Sequence, residues 1–283
     1  MSNVAILTDS TAYLPDAWIK QHNVRVIPLK IHWDDKTFLD GVDLTAAEFY
    51  QELPHSKTLP TTSQPTVQDF FQAFQSLAGH AEGILAALIS SGISGTVDVA
   101  QAAALEFPDF PIEVLDTRIT SGGQALIVQA AARAAEQGQS LQEVRRVADA
   151  AAQRMRVFFT VDTLEYLHRG GRINGASRFL GTALDFKPIL TFTPAGKIDA
   201  LERVRTRKKA LQRILDLAEE TANGQPAHVA VVHASDPQTA RQLCEVVPQH
   251  LTCADMMTVE FSPVIGVHLG PGAVGIALYT DGA

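Results

Sequence analysis

Through the first half of the chain, short apolar runs alternate with stretches of helical periodicity. Residues 4–7 (Val-Ala-Ile-Leu) read as a strand that stops at Thr8-Asp9-Ser10-Thr11. A second strand is expected over 24–31, at an edge or bend, because Pro28 within it cannot donate to a ladder. Val67, Phe70, Phe71, Phe74, Leu77 and Ala78 recur at helical spacing and predict a helix over 66–78 with one apolar face. A buried-type strand follows at 84–89, then the polar loop 90–96, then an Ala-rich helix over about 97–106. The next strand, 112–115, again runs into a polar turn (Asp116 to Gly123) and an Ala-rich helix. Strand, polar loop and helix in repetition predict a parallel α/β sheet.

The pattern changes around 157–161. A short helix carrying Leu164 and Leu167 ends at Arg169-Gly170-Gly171-Arg172. Strands at 189–192 and 198–204 flank Pro194-Ala195-Gly196-Lys197, the composition of a hairpin turn. A helix from 207 to about 221 places Ala210, Leu211, Ile214, Leu215 and Ala218 on one face, with Gly224 as its stop. A strand at 228–233, a helix at 237–247 and two closing strands at 256–261 and 274–279 complete an α+β half with antiparallel pairing expected. The chain thus reads as a two-domain α/β fold. A parallel-sheet N-terminal domain covers 1–160, and an α+β C-terminal domain covers 161–283.

Composition narrows the function. With 46% apolar and 19% charged residues in a chain of 283, ordered cores are expected throughout. The net charge of −8, from 31 acidic and 23 basic residues, argues against a dedicated nucleic-acid binder, which needs a basic face. Cys244 and Cys253 have neither metal-type spacing nor the density of a disulfide scaffold, so no metal is expected; no cofactor is expected either. The N-terminal segment has no basic and apolar leader pattern, and no apolar run approaches the roughly 18 residues of a membrane span. A cytoplasmic protein with no transmembrane segment is expected.

Candidate chemistry sits in hydroxyl-rich loops. Ligands of open α/β sheets bind where strand ends meet helix N-termini. Loops 61–66, 90–96 and 117–123 all combine Ser, Thr and Gly at such points. Hydroxyls and free N–H groups there could hold an anion together, or could serve only as helix caps. Gly270-Pro271-Gly272-Ala273-Val274-Gly275 imitates a dinucleotide fingerprint, but a strand follows it where a helix is required. A close-approach glycine turn is the better reading, and a nucleotide enzyme or small-molecule kinase is the weakest functional class. Gly92-Ile93-Ser94-Gly95-Thr96 misses the nucleophile elbow of a serine hydrolase by its last residue. An ester or lipid hydrolase using Ser94, with His268 and either Asp9 or Asp116, therefore stands as an alternative. His228 and His233 read as structural. Arg169, Arg172, Arg203, Arg205 and Arg207 are clustered, and suit either solvated surface charge or phosphate recognition.

Thr62-Ser63-Gln64-Pro65, Ser91-Gly92-Ile93-Ser94-Gly95-Thr96, Val161-Asp162-Thr163-Leu164-Glu165-Tyr166-Leu167 through Arg169-Gly170-Gly171-Arg172-Ile173, Lys187-Pro188-Ile189-Leu190, and Ser262-Pro263-Val264-Ile265-Gly266-Val267-His268-Leu269-Gly270-Pro271-Gly272 together resemble the DegV family. The resemblance spans essentially the whole chain in order. It implies a two-domain protein that holds a long-chain fatty acid as ligand without catalysing a reaction itself. In members of the FakB type the acid is presented to a separate fatty-acid kinase, which makes an acyl phosphate for phospholipid synthesis. By motif match, Thr62 and Ser94 would bind the carboxylate with Ser63 nearby. His268 and Gly270 would lie beside the headgroup, and Arg172 would match the family's basic residue near the phosphate; Arg205, from the arginine cluster, is a further candidate to face the phosphate or the partner. Asn174 departs from the family pattern, which has a serine or similar residue there.

Overall fold

The computed structural model describes residues 3–179 and 186–282. The first half runs β1 (Val4–Asp9), α1 (Asp16–Gln21), β2 (Arg25–Ile27), β3 (Lys30–Trp33), β4 (Lys36–Leu39), α2 (Ala46–Glu52), β5 (Thr61–Ser63) and α3 (Val67–Ala78). It continues with β6 (Gly83–Leu88), α4 (Thr96–Ala104), β7 (Ile112–Asp116), α5 (Ser121–Glu136) and α6 (Leu141–Arg154). The second half holds β8 (Arg156–Thr160), α7 (Glu165–Arg169), β9 (Lys187–Phe192), β10 (Ile198–Val204), α8 (Arg207–Ala222), β11 (Ala227–His233), α9 (Pro237–His250), β12 (Cys253–Glu260), α10 (Pro263–Leu269) and β13 (Val274–Thr280).

The predicted parallel sheet forms, in the order β2-β1-β6-β7. Leu7 pairs with Ala86, and Ala86 in turn with Val114. Its central strand β6, Gly-Ile-Leu-Ala-Ala-Leu, is buried at every position, as a strand covered on both faces must be. The apolar stripe of α3 buries Phe70, Ala73 and Phe74, and a capping box between Thr66 and Asp69 fixes where the helix begins.

Residues 24–31 do not form one strand. Pro28 divides them into β2, in the parallel sheet, and β3, in a separate antiparallel sheet of order β4-β3-β5. Without an N–H at Pro28 the ladder cannot continue, and the chain turns there from one sheet to the other. That small sheet sets Thr62 opposite Ile31 and carries the first hydroxyl loop.

The second half is a six-stranded sheet of order β10-β9-β8-β13-β11-β12. The expected hairpin joins β9 and β10, its turn closed by Gly196 N–H donating to Thr193 O at 2.8 Å. Pairing is mixed rather than wholly antiparallel, since β11 and β12 are parallel. They are linked by α9, and a helical crossover returns the chain in the same direction. The strands at 256–261 and 274–279 are not neighbours. β13 lies between β8 and β11, and β12 is the edge.

Helix α5 joins the two sheets. It packs on β1 and β6 on one side and on β11 and β13 on the other. Thirteen of its sixteen residues are buried, which explains why Ser-Gly-Gly-Gln-Ala-Leu-Ile-Val-Gln-Ala-Ala-Ala-Arg-Ala-Ala-Glu is rich in small residues all round. A Cβ on Gly122 would stand 2.5 Å from Val232 Cγ1 and 2.8 Å from the Ala230 Cβ. Gly122→Ala is therefore expected to force α5 off the second sheet and cost about 1–3 kcal/mol. A urea midpoint equal to that of the parent would contradict this close packing.

Candidate functional site

A cavity of about 760 Å³, its mouth included, lies between the two sheets at the start of α5. All three hydroxyl-rich loops reach it, through Thr62 and Ser63, through Ser94, and through Thr120 and Ser121. Other loop hydroxyls are engaged elsewhere. Thr66 caps α3, Ser91 donates to Asp116, and Thr117 donates to Leu88 O.

One end of the cavity is polar. Thr62 Oγ1 lies 2.8 Å from His268 Nε2, and Ser63 Oγ lies 2.8 Å from His32 Nε2. Ser94 Oγ pairs with Thr96 Oγ1 at 2.8 Å. Arg172 donates from Nε to Ile93 O at 3.1 Å and from Nη1 to Gly170 O at 2.6 Å. Two backbone carbonyls thus hold the guanidinium at the cavity wall, with further N–H groups left to donate. The second sheet contributes an apolar wall of Val157, Phe159, Phe192, Ile198, Val232 and Ala277.

His268 owes its place to α10, a helix in the segment between the strands expected at 256–261 and 274–279, to which the sequence reading assigned no element before the glycine turn. Its sequence signal is Ser262-Pro263, a capping hydroxyl followed by proline in the first turn. Ser262 Oγ accepts from Ile265 N–H, and the buried Asp40 carboxylate accepts from Val264 N–H at 3.2 Å. Asp40 also accepts from Ser10 Oγ at 2.6 Å, and burial pushes its carboxyl up to about 6. Gly266 allows the other side of α10 to press on Phe49 and Tyr50 of α2. Gly170, from the predicted glycine stretch, brings backbone against His268 Nδ1, where a side chain would collide.

Burial, with the positive charge of Arg172 beside it, holds the His268 imidazole down to about 4. Nδ1 is buried and has no hydrogen-bond partner among the described residues. An orphaned N–H is costlier there than a bare ring nitrogen, so the proton belongs on Nε2. Nε2–H then donates to Thr62 Oγ1, and the Thr62 O–H is free to donate into the cavity. Neutral donors and one cation converging on one end make that end fit for an anionic oxygen.

A hydrolytic triad is not assembled. Ser94 pairs with Thr96, and His268 pairs with Thr62. Asp9 is engaged with Thr11, Ile89 N–H and Gln124, and Asp116 with Ser91 and Arg118 N–H. Nδ1 of His268, which an orienting carboxylate would occupy, has none. Of the remaining candidates, Gly270 (φ +71°) lies against the Tyr166 ring, as a close-approach turn requires. Arg205 is exposed between β10 and α8. The other arginines have separate partners: Arg169 pairs with Glu165, Arg203 stacks over Phe179 and Phe186, and Arg207 bridges Asp162 and Asp236. Among the described residues no cluster of metal-ligating side chains occurs, and no helix is long and apolar enough to cross a membrane.

Without ligand, His268 should stay neutral until the pH falls to about 4, as read from its ring nitrogen shifts. The unfolded chain takes up this proton near 6.5 and the folded chain only near 4, so the group's contribution is intact above 6.5 and is lost as pH falls through that interval. The loss at the acid end is of order 3 kcal/mol. Comparing urea unfolding of the parent and His268→Gln across the interval isolates it. A constant difference would contradict the buried neutral imidazole.

Comparison with known proteins agrees with this architecture. Residues 3–281 match the model of the family described as "Uncharacterised protein, DegV family". A DegV domain-containing protein of Halalkalibacterium halodurans is 37% identical, over 99% of this chain and 100% of its own. A solved Thermus thermophilus structure, described as fatty acid binding of a DegV family protein, superposes with a TM-score of 0.92 at 35% identity, covering 99% of this chain and 100% of that one. The Bacillus subtilis structure described as DegV, a fatty acid binding protein, gives 0.90 at 34% identity, with 99% and 100% covered. With its sheet architecture, its ordered motifs and a match over nearly its full length, the chain belongs to the DegV family.

Proposed function

We propose that this protein binds a long-chain fatty acid and presents the carboxylate to a fatty-acid kinase. The observation that carries the reading is a single cavity with Thr62, Ser94, His268 and Arg172 at one end and apolar strand residues along the rest. The family relationship supports it, since the Thermus and Bacillus relatives are described as fatty acid binding.

In this reading the Thr62 and Ser94 hydroxyls donate to the carboxylate, and Arg172 balances its charge. Ser63 supports the same wall through His32. An unpaired carboxylate in such a place would be prohibitively costly, so these groups fix which end of the ligand enters where. The tail supplies the affinity, at about 0.8 kcal/mol for each buried methylene before the cost of ordering the chain. The protein holds the acid while the kinase forms the acyl phosphate that phospholipid synthesis consumes, and Arg205 offers an exposed cation to that partner.

Native mass spectrometry of the purified protein, followed by extraction and identification of any lipid, tests the binding step. Near-stoichiometric fatty acid is expected, and a protein that is empty and takes up no added acid would end the proposal. Replacing both Thr62→Val and Ser94→Ala should weaken retention roughly a hundredfold, as expected for two lost hydrogen bonds to a charged group. An organophosphate probe should leave Ser94 unlabelled. With a fatty-acid kinase and ATP added, Arg205→Glu should slow acyl-phosphate formation about fivefold, by weakening encounter with the partner. An unchanged rate would remove Arg205 from that surface.

A further inference from the structure

The hydroxyls lining the cavity fall into two sets. Those at the carboxylate end are already partnered: Thr62 with His268, Ser63 with His32, and Ser94 with Thr96. Thr120 Oγ1 and Ser121 Oγ also line the cavity, yet neither has a hydrogen-bond partner among the described residues. They are 8% and 2% exposed. A buried hydroxyl without a partner is costly, so two side by side need an explanation.

Their position lies along the path of the tail. His268 precedes β13, and Arg172 follows β8, so the carboxylate end corresponds to the Val274–Thr160 end of that strand pair. Moving inward, Val232, Gly275 and Phe159 form one cross-strand row, and Ala230, Ala277 and Val157 form the next on the same face. These rows are about 7 Å apart. Gly122 packs on Val232 and Ala230, and Gly123 on Val157, which sets the start of α5 across both rows. Thr120 and Ser121 thus present polar atoms within an apolar stretch.

The backbone adds donors at the same place. The first bond of α5 runs from Gln124 N–H to Thr120 O, so the N–H groups of Ser121, Gly122 and Gly123 precede the helical ladder. Thr120 makes no side-chain cap. Two hydroxyls, able to donate and accept, beside free N–H groups match a neutral oxygen substituent on the ligand. A second carboxylate is a poorer match, because no cationic side chain among the described residues is hydrogen-bonded to this pair.

We infer that the cavity holds a second polar subsite, formed by Thr120 and Ser121 at the start of α5, that selects acyl chains bearing an internal hydroxyl group. This rests on the fatty-acid reading above and names the substrate class within it. A purely apolar tunnel would reject such a chain, whereas a subsite whose hydroxyls are unpaired without it favours the chain over its unsubstituted analogue.

The test is a competition read by native mass spectrometry on delipidated protein. Stearic acid competes against a series of hydroxystearic acids whose hydroxyl is moved stepwise along the chain. One internal regioisomer should be retained roughly tenfold over stearate, the value of about one hydrogen bond. In the Thr120→Val, Ser121→Ala double variant that preference should disappear or reverse. If stearate outcompetes every regioisomer, or the preference survives in the double variant, the subsite is refuted. If neither stearate nor any hydroxy acid binds, the fatty-acid reading falls as well, an outcome distinct from stearate binding alone. Should the double variant fail to fold, the regioisomer series on the parent and Ser121→Ala alone decide the matter.

Discussion

The rest of the structure depends on one helix being narrow enough to fit between two sheets. α5 is buried on every side, against β1 and β6 and against β11 and β13. Most helices bury one stripe and keep the opposite face in water. A helix covered on both sides must give up its polar face, and glycine and alanine let the flanking strands come close. Gly122 shows how close, since even a methyl group there would overlap Val232 and Ala230. The cavity exists because this contact closes one side of the seam while the loops at the carboxyl ends of β5, β6 and β7 stand over the other.

Placing these polar groups at such a seam has electrostatic consequences. The chain is acidic overall, yet Arg172, the one cation reaching the cavity among the described residues, is held there by two carbonyl oxygens rather than by a carboxylate. Among the described residues its charge thus has no fixed counterion, and it would be available to an anion. The same charge, together with burial, keeps His268 neutral. The imidazole then works as a fixed hydrogen-bond donor that orients Thr62. Asp40 plays the opposite part: a buried carboxylate engaged with Val264 N–H and Ser10 ties the start of α10 to the first half of the chain. These buried polar groups restrict how the two halves can be arranged, because each has its partner only in this arrangement.

Most elements were legible from local pattern. The strand-loop-helix repetition of the first half, the one-sided helices at Val67–Ala78 and Arg207–Ala222, and the hairpin around Gly196 all formed. Where the reading failed, it failed through a residue acting on connections. Pro28 split an expected strand between two sheets, and α9 turned an expected antiparallel pair into a parallel one. α10 was missed because its seven residues, Pro-Val-Ile-Gly-Val-His-Leu, are almost wholly apolar and so show no periodicity; only Ser262-Pro263 marks its start.

By itself, the sequence determined most element types, the α/β class and the family motifs, and it named the hydroxyl-rich loops as candidates for an anion. These depend on neighbours a few positions apart, or on ordered strings of residues that can be recognised without coordinates. Only the tertiary structure decided which hydroxyls act together. Thr62 and His268 meet across 206 positions, and Ser63 reaches His32 while Ser91 turns to Asp116. It alone separated Thr66, a helix cap, from Thr120 and Ser121, which cap nothing and face the cavity. The physical reason is that a hydroxyl's role is set by whether a partner lies within about 3 Å, a distance fixed by sheet order and helix packing rather than by local sequence.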